Sequence, residues 1–171
     1  MEEIAMIDLV QWVGSSVLIG AGATLVMDGW AWAQRRLWQI PSLNYSMVGR
    51  WLGHIPRGQL IHQGIANSAP IPGETVIGWV AHYLIGIIFA AVLLGIVGLE
   101  WAVNPTLMPA LMTGVVTVLA PYLILQPGMG AGIAASKTPS PNLMRFRSLV
   151  AHTSYGIGLY IAAVLVSRVW S

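Results

Sequence analysis

Four long apolar stretches divide the chain, and each is long enough to form a helix that crosses a membrane. They cover approximately residues 9–32, 76–99, 107–125 and 149–169. A helix of about 20 residues crosses the hydrocarbon core of a bilayer. Two loops, at 33–75 and 126–148, separate the first stretch from the second and the third from the fourth. The pattern predicts an all-α, polytopic membrane protein with four transmembrane helices in one domain, residues 1–171.

The first loop is unusually apolar for a segment outside the membrane. Apolar residues such as Trp51 and Leu52 are mixed there with polar ones such as Arg50 and His54. No apolar run in the loop is long enough to span a membrane. Such a mixture is typical of a helix that lies in the headgroup region. We therefore expect an interfacial amphipathic segment in the first loop.

Composition excludes several classes of protein. Hydrophobic residues make up 56% of the chain and charged residues only 8%, against about 25% charged residues in typical globular proteins. A soluble fold of this size could not cover so much apolar surface, which excludes a cytosolic enzyme, a nucleic-acid binder and a disordered chain. The chain contains 0 cysteines, which excludes disulfides, thiolate metal sites and cysteine nucleophiles.

The basic residues predict the orientation of the chain. All but Arg168 of the basic residues lie in the two long loops: Arg35, Arg36, Arg50, Arg57, Lys137, Arg145 and Arg147. Loops rich in lysine and arginine remain on the cytoplasmic side of a membrane. Both long loops are therefore predicted to be cytoplasmic, with the N- and C-termini outside.

An internal repeat is visible in the second and fourth stretches. Residues 81–87 and 151–157 both read A-H-x-x-x-G-I, and a P-S-x-N segment precedes each of them, at 41–44 and 139–142. Because equivalent stretches run in the same direction, this order predicts two pseudo-repeated helical hairpins related by an axis along the membrane normal. Chance similarity between short apolar segments is the alternative.

Three ionisable residues lie within the apolar stretches, namely Asp28, His82 and His152. Ionisable groups inside a membrane are rare and mark candidate functional sites. Each occupies a helix face made of small or polar residues, and all three are predicted in the cytoplasmic half. We expect them to line one polar cavity, approached from the cytoplasm by Asn44 and Arg50.

Each of these residues also has a structural interpretation. Asp28 precedes Arg35 and Arg36 by about two helical turns, so it could pair with either arginine at the interface. A histidine on a small-residue face could bond a neighbouring carbonyl or hydroxyl group and hold two helices together.

The candidate residues are compatible with three functions. The first is binding or transport of a proton, ion or small polar ligand by Asp28, His82 and His152, for which four spans are few, so that a homodimer is expected. The second is binding of haem b or a transition metal by the two histidines, with Asp28 as a third ligand for a bare metal. The third is an accessory subunit or assembly factor of a larger membrane complex. No catalytic motif is recognised, although the same residue types could act on lipid phosphates.

Several segments resemble a known family. They are residues 22–28, 40–45, 48–54, 78–83 and 126–130, which read GATLVMD, IPSLNY, VGRWLGH, GWVAHY and QPGMG. Together they resemble a bacterial membrane family catalogued only as domain of unknown function 2938. The resemblance implies a multi-pass protein of the bacterial inner membrane and supplies no activity or functional residues.

Overall fold

Helices form nearly all of the regular structure. The computed structural model describes the backbone of residues 2–170 and the side chains of residues 6 and 8–168. Within that part of the chain no strand occurs, which confirms the all-α class. The helices are α1 (Glu2–Trp38), α2 (Tyr45–His54), α3 (Glu74–Val97), α4 (Glu100–Val103), α5 (Leu107–Thr117), α6 (Gln126–Gly128) and α7 (Pro141–Trp170).

Four helical segments are long and apolar enough to cross a membrane, as the sequence predicts. They are Asp8–Trp38, Glu74–Val97, Leu107–Gly128 and Pro141–Arg168. The fourth begins ahead of the apolar stretch because Pro141, whose fixed φ suits the first helical position, starts α7. The predicted outward position of the termini concerns residues 1 and 171, which lie outside the described residues.

The third spanning segment is interrupted by Pro121. A proline inside a helix lacks an N–H donor and clashes with the preceding turn. Here α5 ends at Thr117, and a π-helical turn follows at Pro121–Leu125 before α6. The chain then leaves the helix through the glycine-rich segment that begins at Gly128, so this segment is a helix exit.

The spanning helices lie in the order α3, α1, α7, α5, since α1 packs along both α3 and α7 and α7 also packs along α5. We call the side of the bundle where α1 ends and α3 and α7 begin the basic side. The buried apolar core lies toward the opposite side. It comprises Ile19, Ala23, Ala90, Leu93, Leu94, Trp101, Ala102, Ala110, Tyr155, Leu159, Ala162, Ala163 and Val166. The half next to the basic side contains fewer members of this core and is joined in part by polar side-chain contacts.

The helix expected in the first loop is α2, which packs along the beginning of α3. The two backbones approach closely at a pair of glycines. A Cβ atom on Gly49 would overlap the carbonyl oxygen of Glu74, and one on Gly78 would overlap that of Tyr45. Glycine at both positions therefore allows α2 and α3 to pack as one unit.

Replacing Gly78 by Ala should separate α2 from α3. The added methyl group overlaps backbone, which cannot move as a flexible side chain can, and we expect a loss of about 1–3 kcal/mol of stability. Thermal unfolding in detergent measures this loss. Gly95→Ala in the same helix is the control, since its Cβ would have no neighbour within 4 Å. Equal stability of the two variants would contradict the close packing.

Candidate proton-binding site

The register between α1 and α3 is set by small residues on both helices. A Cβ atom on Gly20 would lie 2.8 Å from the carbonyl oxygen of Gly86, and one on Gly86 would overlap the hydroxyl group of Thr24. Side chains four residues apart lie on one face of a helix. One turn closer to the basic side, this antiparallel register brings Asp28 of α1 opposite His82 of α3.

Asp28 is bonded to three side chains. His82 Nε2 lies 2.9 Å from Asp28 Oδ1. The hydroxyl group of Tyr83 donates to Oδ2 at 3.1 Å, and that of Tyr45 donates to Oδ1 at 3.4 Å. Both carboxylate oxygens thus have partners, as a carboxylate within an apolar helix requires. Asp28 pairs with His82 rather than with an arginine at the interface.

An aromatic cluster covers this site. The ring of Tyr45 packs on those of Trp79 and His82, with centroid distances of 4.4 and 4.3 Å. The side chains of His82 and Asp28 are only 12% and 18% exposed. Burial raises the pKa of Tyr45, and the negative charge of Asp28 raises it further, so the phenol keeps its proton at neutral pH.

These contacts allow a proton to occupy either partner. When Asp28 is ionised, His82 donates through Nε2–H to its carboxylate. When the carboxyl group carries the proton instead, it donates to an unprotonated Nε2 with the heavy atoms in the same places. The hydroxyl oxygen of Tyr45 lies 2.9 Å from Nε2 and can accompany either arrangement. The geometry thus lets the shared proton move between the two partners, while a net gain or loss of one proton by the pair would occur at the other ring nitrogen of His82, Nδ1, with the heavy atoms unmoved.

His152 makes a separate contact. Its Nδ1 lies 2.9 Å from Oγ1 of Thr117 on α5, and that hydroxyl group donates to the carbonyl oxygen of Gly114 at 2.7 Å. The structure therefore joins Asp28 with His82 and joins His152 with Thr117. This second contact is the hydroxyl bond that a structural histidine makes between two helices.

The two loop residues expected at the site have their own partners. Asn44 caps α2, where its side-chain oxygen accepts a bond from Ser46 N at 3.0 Å. Arg50 forms two bonds with the carboxylate of Glu74, both 2.8 Å long. Those bonds raise the pKa of Arg50, so the guanidinium remains charged. Neither residue touches Asp28.

The predicted metal site of Asp28, His82 and His152 does not form a three-ligand group. Within the described part of the chain, no group of three His, Asp or Glu side chains is placed to hold a metal. One ring nitrogen of each histidine is already bonded, Nε2 of His82 to Asp28 and Nδ1 of His152 to Thr117. Binding of haem or a metal ion by the remaining ring nitrogens stays a prediction.

Three residues of these contacts were not singled out in the sequence, namely Tyr45, Tyr83 and Thr117. Tyr83 directly follows His82, and adjacent helical residues diverge, so sequence spacing gives no sign that both meet one carboxylate. Tyr45 directly follows the Asn44 cap, and only the close packing of α2 on α3 brings it to Asp28. The preference of buried histidines for hydroxyl partners is the one signal that could have suggested Thr117.

Thr117→Val should leave His152 Nδ1 without its partner while nearly preserving shape. An unsatisfied buried polar group costs about 1–3 kcal/mol, and we expect a loss of stability in this range. Thermal unfolding of the variant in detergent is the measurement. Thr113→Val, one turn away on α5 and half-buried, should change stability less. If the two variants are equally stable, the contact contributes nothing.

Comparison with known proteins identifies a family and no characterised relative. A family model described as a protein of unknown function, DUF2938, matches residues 17–166. No curated protein and no solved structure matches the chain. The matched residues include all those of the Asp28–His82 site.

Proposed function

The chain belongs to the DUF2938 family of proteins of unknown function, and we propose that this member reversibly binds a proton at Asp28 and His82 within the membrane. The observation that carries this proposal is the 2.9 Å contact between Asp28 Oδ1 and His82 Nε2, with two tyrosine hydroxyl groups on the same carboxylate. An ionisable pair inside an apolar bundle is unfavourable unless its groups are paired. Its presence calls for a role that a neutral pair could not perform.

A proton is the ligand that this arrangement accepts most easily. Both oxygens of Asp28 already have protein donors, and the rings of Tyr45, Trp79 and His82 pack directly on one another. A metal ion or small polar molecule would have to displace these contacts to reach the carboxylate of Asp28. A proton enters by rearranging hydrogen bonds. The site thus favours a proton over a metal ion or a small polar molecule.

The proton should exchange with the basic side alone. Between the site and the opposite side lies the apolar core, whose nearest members on α1 and α3 are Ala23 and Ala90. No ionisable side chain belongs to that core apart from Tyr155, which donates to the carbonyl oxygen of Gly86 at 2.6 Å. We therefore infer uptake and release on one side rather than transport across the membrane.

Asp28→Asn should abolish proton binding at the site and leave the fold largely unchanged. Asp8 and Asp28 are the only aspartates in the sequence, so in an Asp8→Asn background ¹³C-labelled aspartate reports Asp28 alone. In lipid nanodiscs, NMR should show its carboxyl signal and the ¹⁵N signals of His82 changing together as the pH is varied over the range in which the protein stays folded.

The control for Asp28→Asn is Asp8→Asn, a change of the same kind at an exposed position of α1. Proton uptake by purified protein in nanodiscs should fall by about one proton per chain in Asp28→Asn relative to that control. Signals of Asp28 and His82 that stay constant at every pH at which the protein is folded would show that the pair is structural. Equal proton uptake by the two variants would lead to the same conclusion.

We infer that the basic side faces the cytoplasm of a bacterial cell and that the protein lies in the inner membrane. The support is the arginine and lysine content of both long loops and the resemblance already described. We also propose that the protein forms a homodimer, because four spans are few, or that it joins a larger membrane complex as an accessory subunit.

The absence of cysteine from the sequence makes the orientation directly testable. Ile61→Cys, at a side chain 73% exposed in the first loop, should react with a membrane-impermeant maleimide in inverted vesicles and stay unlabelled in intact spheroplasts. Asn104→Cys, exposed on the opposite side, should give the reverse pattern. Labelling of residue 61 in spheroplasts would reverse the inferred topology.

We also infer that the two hairpins are a repeat. In each, the histidine of the A-H-x-x-x-G-I segment bonds a polar side chain of the preceding spanning helix: His82 meets Asp28, and His152 meets Thr117. The glycine of each segment then packs closely on the same helix. A Cβ on Gly156 would lie 2.9 Å from the carbonyl oxygen of Ala110, as Gly86 packs on α1. These matched contacts support the repeat.

A further inference from the structure

One member of the candidate site does not lie on a spanning helix. Tyr45 is the first residue of α2, in the first loop, yet its hydroxyl oxygen lies 2.9 Å from His82 Nε2 and 3.4 Å from Asp28 Oδ1. The position of this hydroxyl group therefore depends on how α2 is held. Any change in the loop that moves α2 changes the hydrogen bonds of the buried pair.

Apart from the contacts of Tyr45 itself, three contacts hold α2 against α3. The glycines of α2 and α3 bring the backbones together, and Ser46 Oγ lies 2.8 Å from Thr75 Oγ1. The strongest is the pair between Arg50 and Glu74, in which the Nε and Nη2 atoms of the guanidinium each donate to a different carboxylate oxygen. Arg50 is only 8% exposed, so this pair is well shielded from solvent.

Arg50 also connects α2 to the rest of the first loop. Its Nη1 donates to the carbonyl oxygens of Ala66 and Ser68, at 3.3 and 3.2 Å. The same part of the loop docks on the exit of the third span. His62 N donates to the carbonyl oxygen of Gly128 at 2.9 Å, and Ile65 N to that of Met129 at 3.0 Å. The side chain of Arg50 thus joins the docked loop to α2, the helix that carries Tyr45.

We infer that Arg50 is a positioning residue for the Asp28–His82 site: by fixing α2 on Glu74 and on the docked loop, it holds the Tyr45 hydroxyl group on the buried pair and so sets how tightly the pair binds a proton. The inference rests on the proposed function. Because coupling between two equilibria is reciprocal, undocking of the loop changes proton binding, and proton binding changes the docking of the loop.

Other charged and titratable groups lie near the pair on α1, α3 and α7. On α1, Arg35 and Arg36 are exposed beyond Asp28. On α3, Tyr83 donates to Asp28, and Glu74 is paired with Arg50. On α7, His152 is bonded to Thr117. Among these groups, Arg50 and Glu74 are the ones that also hold α2.

A double-mutant cycle separates the action of Arg50 through Tyr45 from a direct effect of its charge. The readout is the ¹³C signal of Asp28 against pH, in Asp8→Asn protein in nanodiscs. Tyr45→Phe removes a donor to the carboxylate and should strengthen proton binding on the order of tenfold. Arg50→Gln should shift binding in the same direction, by a smaller factor. In the Tyr45→Phe background, Arg50→Gln should have no further effect.

Arg57→Gln is the matched control, because Arg57 carries the same charge in the same loop but is exposed. It should leave proton binding unchanged. Arg50→Lys, which keeps the charge but cannot form the two-pronged bond, should give an intermediate shift. Ser46→Ala removes a weaker contact of α2 and should shift proton binding in the same direction. If Arg50→Gln does not fold, Ser46→Ala takes its place in the cycle.

The possible outcomes separate this inference from the proposed function. If Asp28 does not titrate in protein with Tyr45 and Arg50 intact, the proposed function fails and this inference fails with it. If Asp28 titrates but Arg50→Gln and Ser46→Ala leave it unchanged, only the positioning role is overturned. A third outcome is that Arg50→Gln shifts proton binding equally in the Tyr45→Phe background. That result would show a direct effect of the charge or entry of water, and it would also overturn the positioning role.

Discussion

The constraint on which this fold depends is the burial of a carboxylate within an apolar helix. An ionised carboxyl group in a bilayer needs a partner and hydrogen-bond donors. Asp28 obtains them because glycine at positions 20 and 86 lets α1 and α3 approach closely enough for His82 and Tyr83 to reach it. A larger residue at either glycine would separate the helices and leave the charge unpaired. The polar site can therefore form only because the helix faces around it consist of small residues.

The bundle divides into halves that differ in what holds them together. The buried apolar core lies toward the opposite side, while the contacts of the basic half include the polar ones of Asp28 with His82, of His152 with Thr117, and of Arg50 with Glu74. Regions with few buried apolar contacts open at lower free energy than a packed core. Rearrangement at the basic side can therefore occur while the opposite half keeps the helices assembled. A site that exchanges protons with one side needs this distribution of stability.

Sequence reasoning predicted the four helices because long apolar runs determine them almost alone. It also placed Asp28 and His82 near each other, since small residues at helical spacing identified the faces that pack. It could not predict that His152 bonds Thr117, because the choice among nearby polar partners depends on the rotation and depth of each helix. Tyr45 was missed for a related reason: its place at the site follows from the packing of α2 on α3, a contact between segments that sequence periodicity does not connect.

The contact of the second histidine, His152, provides an internal comparison for the role of Asp28. Two histidines stand in A-H-x-x-x-G-I segments, and each bonds a side chain of a neighbouring spanning helix. Thr117 meets His152 with a hydroxyl group, which joins two helices and introduces no charge. If joining helices were the whole purpose, a hydroxyl group would serve His82 equally well and would avoid the unfavourable burial of a carboxylate. Asp28 adds the capacity to change charge without changing the packing, and this difference between the two contacts supports proton binding at the first histidine and a structural role for the second.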